Sequence, residues 1–325
     1  MVAVMNSLSG ICSYYLEVCT RNKNLSKHTL KAYHIDLEQF VSCVGKNIDI
    51  NSVTKQEIQK FHNYLSDQEL SPASIKRKLA CLKAMFKWLE LEEQIELNPF
   101  HKFRTEIKFP RKLPKNVPAK DINNMIQQAK IELGLGKSKA YTFKEVSNRV
   151  YSKKSLNKLT TLVAVELMLS TGIRVGELSG ITLDCVDVYE RKIKIFGKGS
   201  RERYVFIPDE ELCELIYAYT QLRLITEPAN NNFLVNSRGQ PASTQFLRKL
   251  VKDIAQRAFT KQKVTPHMLR HSAACELLES GLDIRFVQRL LGHSSISTTE
   301  IYTHVNDTLL KEKVSQANVR GRVVG

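Results

Sequence analysis

Two arginines in the second half of the chain have the chemistry to hold a phosphate group. Arg174 lies in the string STGIRVGEL, where it follows a glycine break and opens a short helix, and Arg270 lies in TPHMLRHS. A guanidinium can bind a phosphate through two parallel N–H donors. For Arg174, an ion pair with Glu177 at i,i+3 is the other interpretation. The two are compatible, because a neighbouring carboxylate would orient the guanidinium.

A histidine and a lysine near these arginines could transfer protons. Thr265 and Pro266 have the preferences of an N-cap and a first helical position, which places His267 in the first turn of a helix. The helix dipole there disfavours the protonated imidazole, so a neutral His267 could accept a proton from a hydroxyl. Lys198 lies between Gly197 and Gly199 at a predicted hairpin tip, where it could protonate a leaving alkoxide.

A tyrosine and a second histidine follow towards the carboxyl end. Tyr302, in EIYTHV, comes after the polar run SSISTTE and is not part of an apolar helical stripe. A tyrosine hydroxyl is a weak nucleophile, so it needs a base and an electrophile whose negative charge has been neutralised. The two arginines, together with His293 as a donor, meet that need for a phosphodiester.

A zinc site is an alternative interpretation of the histidines. His267 and His271 are four residues apart, the spacing of two zinc ligands on a helix, and His293 or His304 could supply a third ligand. The chain has no HExxH string and no pair of cysteine ligands, and nearby cations would oppose a divalent ion. We therefore predict no metal ligands.

The spacing of the six residues resembles that of the tyrosine recombinases of the phage-integrase and Xer class. Arg174 precedes Lys198 by 24 positions. Arg270 precedes His293 by 23 positions, and His293 precedes Tyr302 by 9. The similarity extends over HMLRHSAACELLESGLDIRFVQRLLGHSSISTTEIYTHV, and SLSGICSYYLEVCTRNKNLSKHTLKAYHIDLEQF resembles the amino-terminal core-binding domain of that family.

The resemblance implies a catalytic role for each of the six residues. Tyr302 would attack the scissile phosphate and form a 3′-phosphotyrosine, releasing a 5′-hydroxyl. The two arginines would hold the non-bridging oxygens, and His293 would donate a further hydrogen bond. Lys198 would protonate the leaving oxygen, and His267 would assist proton transfer at the tyrosine. No cofactor is implied, neither a metal nor ATP, because the phosphotyrosine conserves the bond energy for religation.

The resemblance also implies the partners and the biological setting. Duplex DNA with inverted-repeat core sites would be bound by free monomers that assemble into a homotetramer, which exchanges strands through a Holliday junction. Residues 133–157 look like an insertion, and the arm-binding domain of lambda-type integrases is missing from the pattern. We therefore expect an integrase of a mobile element. The alternatives are Xer-type resolution of chromosome or plasmid dimers, a type IB topoisomerase and a non-catalytic DNA-binding protein on the same fold.

The first 100 residues predict an all-α domain. The apolar spacing is helical throughout, and three of about four short helices have start signals. Ser26 is a candidate N-cap, Thr54 and Glu57 match a capping box, and Ser71 followed by Pro72 matches an N-cap and first helical position. By the resemblance, this is the SAM-like core-binding domain.

The catalytic domain, predicted over 119–325, is mainly helical with one β-hairpin. Residues 191–196 and 204–207 are β-rich and flank a tight turn. Helices are predicted over 210–222, 243–258, 267–279 and 283–291. A closing helix near 307–316 carries Leu309, Leu310 and Val314, and the resemblance implies that it docks on a neighbouring protomer. The predicted fold class is mainly α with a small β-hairpin or sheet (α+β), and the resemblance implies that its two domains form a C-shaped DNA clamp.

The positive charge of the chain is concentrated in one segment. The net charge is +16, and residues 101–150 contribute half of it with 12 basic and 4 acidic side chains. Prolines exclude a continuous helix over 101–118, so we predict a basic linker along the DNA backbone. A solvated linker whose charge serves solubility is the other interpretation. The predicted DNA-binding residues are Lys76, Arg77, Lys83, Lys102, Arg104, Lys108, Arg111 and Lys112.

Composition excludes several other classes of protein. With 42% hydrophobic residues, 14 Gly and 9 Pro, the chain is neither intrinsically disordered nor collagen-like. No run of 18 apolar residues predicts a membrane span, and the seven cysteines are scattered without a CxxC pair. We expect a cytoplasmic, nucleoid-associated protein with no membrane partner.

Overall fold

The computed structural model describes residues 7–22, 25, 27–104, 116–136, 142–197 and 202–292. The chain divides into two compact units, residues 1–112 and 113–325. The predicted N-cap Ser26, most of the predicted linker and the predicted closing helix near 307–316 lie outside the described residues. No helix in the described part of the chain is long and apolar enough to cross a bilayer.

The described part of the first unit has four α-helices, two of which begin at the predicted start signals. They are α1 (Leu8–Asn22), α2 (Lys27–Val44), α3 (Lys55–Asp67) and α4 (Pro72–Leu91). The capping box of Thr54 and Glu57 at the start of α3 is confirmed, as is the Ser71 cap of α4. The core includes the fully buried rings of Phe40, Phe61 and Phe86, which meet edge to face.

A buried carboxylate ties α2 to α4. Asp36 is fully buried and accepts hydrogen bonds from Arg77 and from the nearly buried Lys78, whose Nζ lies 2.9 Å from Oδ1. A carboxylate at that depth requires such partners. Of the predicted DNA-binding residues on α4, Lys76 and Lys83 are exposed, whereas Arg77 is half exposed and already holds Asp36. Their contacts with DNA remain predictions.

The described ends of the predicted linker pack within the two units. The Phe103 ring lies 5.7 Å from that of Phe100, which in turn contacts Phe86 in the first unit. Lys102 and Arg104 flank Phe103 and are exposed. At the other end, Val117 is 2% exposed and belongs to the core of the second unit.

The second unit is mainly helical with one small sheet. Its first four helices are α5 (Ala119–Leu133), α6 (Phe143–Ser147), α7 (Lys153–Thr171) and α8 (Val175–Gly180). Three antiparallel strands follow in spatial order, β1 (Val186–Asp187), β2 (Lys192–Phe196) and β3 (Glu202–Phe206). The unit continues with α9 (Glu210–Leu222), α10 (Thr244–Arg257), α11 (Pro266–Glu279) and α12 (Ile284–Leu291).

These elements confirm the predicted mainly α fold class with a small sheet. The β-hairpin is confirmed, and the four predicted helices agree with α9 to α12 to within one residue at each end. Strand β1 was not predicted, because two residues are too few to show an alternating pattern. The structure also places part of the predicted insertion in the core, since Val146 and Val150 are buried and the Phe143 ring contacts Tyr217 of α9.

Helix α7 is the central element of the second unit. Its side chains are buried on most sides, including Leu159, Leu162, Val163 and Leu167, as expected of a helix that other helices surround. It ends at Gly172, whose φ of +62° is the left-handed conformation that stops a helix. Arg174 follows two residues later, so the end of this buried helix fixes where the arginine leaves the core.

Candidate active site

Arg174 is held by a carboxylate one helical turn away. It is the N-cap residue of α8, and its backbone N–H donates to Oε2 of Glu177 at 2.9 Å. Its Nη1 donates to Oε1 of the same side chain at 2.8 Å, which confirms the predicted ion pair. The Arg174 side chain is 39% exposed, so the pair orients the guanidinium while one side stays open to solvent.

Arg174 and Arg270 converge on a single oxygen atom. The carbonyl oxygen of Leu291 accepts from Nη1 of Arg174 at 3.3 Å and from Nη2 of Arg270 at 2.8 Å. Arg174 also donates to the carbonyl of Gly292, and Arg270 donates to that of Gly172. Although 96 positions separate them in the chain, the two guanidiniums can therefore contact one ligand.

The end of α7 must be glycine for this convergence. A Cβ on Gly172 would lie 2.4 Å from Cδ2 of Leu291, in addition to the strain of a positive φ. The absence of a side chain lets α12 approach the end of α7 closely. Its last carbonyls thereby come within reach of Arg174 and of Arg270, which projects from α11 and is 4% exposed.

Sequence reasoning missed Arg203, a third arginine in this cluster. It projects from β3 and forms two parallel hydrogen bonds to Glu177 at 2.9 and 2.8 Å. Its Nε donates to the carbonyl of Leu290, so it joins β3, α8 and α12. A signal was present, because Arg203 and Val205 share the inward face of an alternating strand. An inward arginine requires a carboxylate partner.

The arginines keep Glu177 ionised. Burial raises the pKa of this carboxyl, but the hydrogen bonds and charge of Arg203, together with those of Arg174, outweigh burial and lower the pKa to about 2. The side chain is 8% exposed, so it is screened little by solvent. Glu177 is therefore a fixed negative charge that holds two guanidiniums in place.

The two histidines on α11 have different surroundings. His267 is exposed in the first turn, directly after Pro266, where the Thr265 side chain caps the helix. His271 is buried, with its Nε2 3.9 Å from Sγ of Cys275. No group of three or more His, Cys, Asp or Glu side chains within the described ranges could hold a metal ion. The third ligand considered for zinc, His293 or His304, lies outside those ranges.

The structure places three of the six predicted catalytic residues. Arg174 and Arg270 come together, and His267 lies one helical turn before Arg270 on α11. Lys198, His293 and Tyr302 lie outside the described residues, as do the predicted DNA-binding residues Lys108, Arg111 and Lys112. Their neighbours in the chain are described, since β2 ends two residues before Lys198, and Gly292 next to His293 accepts from Arg174.

Comparison with known proteins agrees with this arrangement. Residues 141–308 match the phage integrase family, and residues 13–93 match its N-terminal SAM-like domain. A tyrosine recombinase of Agathobacter rectalis is 34% identical over 93% of this chain and 94% of its own. The tyrosine recombinase XerC of Staphylococcus saprophyticus is 32% identical over 95% of this chain and 97% of its own. The chain therefore belongs to the phage integrase family of tyrosine recombinases, enzymes that cleave and rejoin DNA.

Solved structures share the fold. The crystal structure of the XerA recombinase is 27% identical, covers 95% of this chain and 98% of its own, and has a TM-score of 0.51. A post-cleavage complex of the XerH site-specific recombinase with palindromic difH DNA has a TM-score of 0.70 at 21% identity, covering 94% of this chain and 84% of its own. These neighbours confirm a SAM-like domain followed by a recombinase catalytic domain.

Proposed function

We propose that this chain is a site-specific recombinase whose nucleophile is Tyr302 and whose phosphate-binding pair is Arg174 and Arg270. The observation that carries the proposal is the single oxygen atom that accepts from both guanidiniums. A scissile phosphate needs this type of clamp, because charge develops on its non-bridging oxygens in the transition state.

The proposed reaction is two transesterifications. In the first, the Tyr302 oxygen bonds to phosphorus, the bond from phosphorus to the 5′-oxygen breaks, and a 3′-phosphotyrosine forms. Lys198 gives a proton to the leaving 5′-oxygen, and His267 takes the proton of the tyrosine hydroxyl. His293 adds a hydrogen bond to the phosphate. In the second step, a 5′-hydroxyl from the partner duplex attacks the phosphotyrosine and frees the enzyme.

Binding of a phosphate changes the hydrogen bonds that the carbonyls of Leu291 and Gly292 now accept from the two arginines. Arg174 is the accessible member of the pair, since its side chain is 39% exposed and Arg270 is nearly buried. A phosphate oxygen that binds both takes the position of the Leu291 carbonyl or lies beside it. The backbone just before His293 is therefore coupled to occupancy of the phosphate site.

We propose strand exchange between two duplexes in a tetramer on DNA, with both domains contacting the duplex. Proteins of the same fold have been solved with DNA, among them a lambda integrase tetramer on a Holliday junction, at 16% identity. Movement of a mobile element is the first candidate role. The relatives named XerC, such as that of S. saprophyticus, favour resolution of chromosome or plasmid dimers as the second. Either reaction takes place on nucleoid DNA in the cytoplasm.

One experiment tests whether Tyr302 is the nucleophile and also identifies the DNA sequence that is cleaved. The protein is incubated with fragmented genomic DNA of its own cell, denatured, and recovered with any DNA bound covalently through a tyrosine. We expect adducts at a small set of sequences and none with Tyr302→Phe, because phenylalanine has no nucleophilic oxygen. Adducts that persist in Tyr302→Phe would overturn the assignment.

The recovered sequences also decide between the two roles. Ends of a mobile element support integration, and one inverted-repeat site on the chromosome supports dimer resolution. A plasmid with two copies of the recovered site then distinguishes recombination from topoisomerase activity. Recombinant products are expected, and relaxation without exchange would contradict a recombinase.

A further inference from the structure

A basic hollow lies just before the helix that carries His267 and Arg270. It encloses about 330 Å³ and is lined by residues of the end of α10 and of the loop to α11, among them Lys252, Lys261 and Lys263. No acidic side chain is among the lining residues. The active site as assigned above uses none of these lysines.

The three lysines have unneutralised charge. All three are exposed, and within the described part of the chain no carboxylate lies at ion-pair distance from any of them. Lys249, one turn earlier on α10, provides the contrast, because it pairs with Asp253 on the same helix. Three like charges around one hollow repel each other, so an anionic occupant would stabilise them.

The loop that carries two of these lysines is fixed by its own hydrogen bonds. The Thr260 hydroxyl donates to the carbonyls of Ala255 and Gln262, and the Gln262 amide donates to the carbonyl of Asn116 at 2.7 Å. Lys261 and Lys263 lie on either side of Gln262, and Val264 beyond them is buried in the core. The lysines are thus presented on a backbone that needs little ordering on binding, which favours affinity.

The position of the hollow identifies the anion. Four residues separate Lys263 from His267, at most about 14 Å of extended chain, or about four nucleotides at the axial rise of a DNA strand. Resting on the proposed function, we propose that Lys252, Lys261 and Lys263 bind a backbone phosphate of the DNA strand within a few nucleotides of the scissile phosphate. Phosphate contacts of this type fix the register of a protein on the duplex without reading its sequence.

The test is the salt dependence of DNA binding. Lys261→Gln and Lys263→Gln are combined in a Tyr302→Phe protein, so that cleavage does not contribute. Affinity for a labelled duplex of arbitrary sequence, about 30 base pairs long, is measured between about 50 and 200 mM salt. The slope of log affinity against log salt should become shallower by about 1, because one phosphate contact is lost, and the affinity at about 100 mM should fall by about tenfold.

Two control variants make the result specific. Lys153→Gln with Lys154→Gln removes two exposed lysines from the start of α7 and should leave the slope unchanged. Lys261→Arg with Lys263→Arg keeps the charge and should keep the slope. The proposed site would be overturned if Lys261→Gln with Lys263→Gln left the salt slope unchanged. It would also be overturned if Lys153→Gln with Lys154→Gln changed the slope by the same amount. Because the assay reads non-covalent binding, a wild-type protein without tyrosine adducts would contradict the proposed function and leave this result valid.

Discussion

At the scale of single residues, Glu177 organises the proposed phosphate site. It accepts hydrogen bonds from Arg174 and Arg203, and both arginines also bind carbonyls at the end of α12. An exposed ion pair contributes little to stability, but this carboxylate is nearly buried and meets Arg203 through two parallel bonds. The orientation of Arg174, a proposed phosphate ligand, therefore depends on a residue that need not touch DNA.

The lowered pKa of Glu177 predicts how stability depends on pH. The pKa is about 2 in the folded protein and near its ordinary 4.5 when unfolded, so the unfolded chain binds more protons between these values. The contribution is complete well above pH 4.5 and is lost as pH falls towards 2. Between pH 7 and pH 4, the wild type should lose about 1 kcal/mol more stability than Glu177→Gln, as measured by urea unfolding.

A second variant separates this carboxylate from the others in the protein. Arg203→Met removes the strongest partner of Glu177, so the pKa of Glu177 should rise. The stability that is lost between pH 7 and pH 4 because of Glu177 should then be smaller. Arg191 is exposed and directly precedes β2, so Arg191→Met should leave the pH dependence of stability as it is in the wild type. A loss between pH 7 and pH 4 that is the same in Glu177→Gln and wild type would contradict the assignment.

At the scale of elements, the junction between α7 and α12 determines the site. Gly172 ends α7 in a left-handed conformation against Leu291, the last residue of α12. Helices approach closely only where side chains permit it, and here a Cβ on Gly172 would displace the buried end of the Leu291 side chain. The same contact brings the Leu291 carbonyl to Arg174 and Arg270, and the Gly172 carbonyl to Arg270.

Gly172→Ala should therefore destabilise the protein. The positive φ costs an alanine about 1 kcal/mol, and the clash with Leu291 adds to it, for a total of about 2 to 4 kcal/mol. Gly180→Ala is the matched control, because nothing lies within 4 Å of its Cβ position and the change should stay within about 0.5 kcal/mol. Thermal unfolding of both variants measures the difference. Equal stabilities would show that α12 can move away at no cost.

At the scale of the whole molecule, the chain is organised as two compact units. Each unit has a core of its own, and the basic Pro-containing segment joins them along the chain. The first 100 residues contribute almost no net charge, with 12 basic against 11 acidic residues. A net charge this small gives the amino-terminal unit little general attraction to DNA, and residues 101–150, which comprise the joining segment and the start of the second unit, supply half of the net +16.

Assembly is the task that the carboxyl-terminal segment is predicted to serve. Leu309, Leu310 and Val314 have helical spacing, and a stripe of this kind docks on an apolar surface. Deletion of residues 306–325 should leave binding of one protomer to DNA intact and abolish higher complexes in gel-shift assays. A truncated protein that still forms four-protomer complexes would contradict this role.

The sequence by itself identified the family and most of the elements, and it predicted the six catalytic residues. Capping residues such as Thr54 and Ser71 act within one helical turn, and the hairpin follows from alternation over a few residues. Such local signals are complete in the sequence, because the atoms that satisfy them are only a few positions away. The spacing from Arg174 to Tyr302 likewise needs no structure to be recognised.

Only the tertiary structure decided which partners the charged side chains take. Arg77, a predicted DNA-binding residue, holds the buried Asp36, and Arg203 was not singled out although it completes the Glu177 cluster. These partners lie 41 and 26 positions away along the chain, and no local pattern encodes such distances. A buried ion is stable only where packing brings a counter-charge to it, so its partner is determined by how the helices and strands meet.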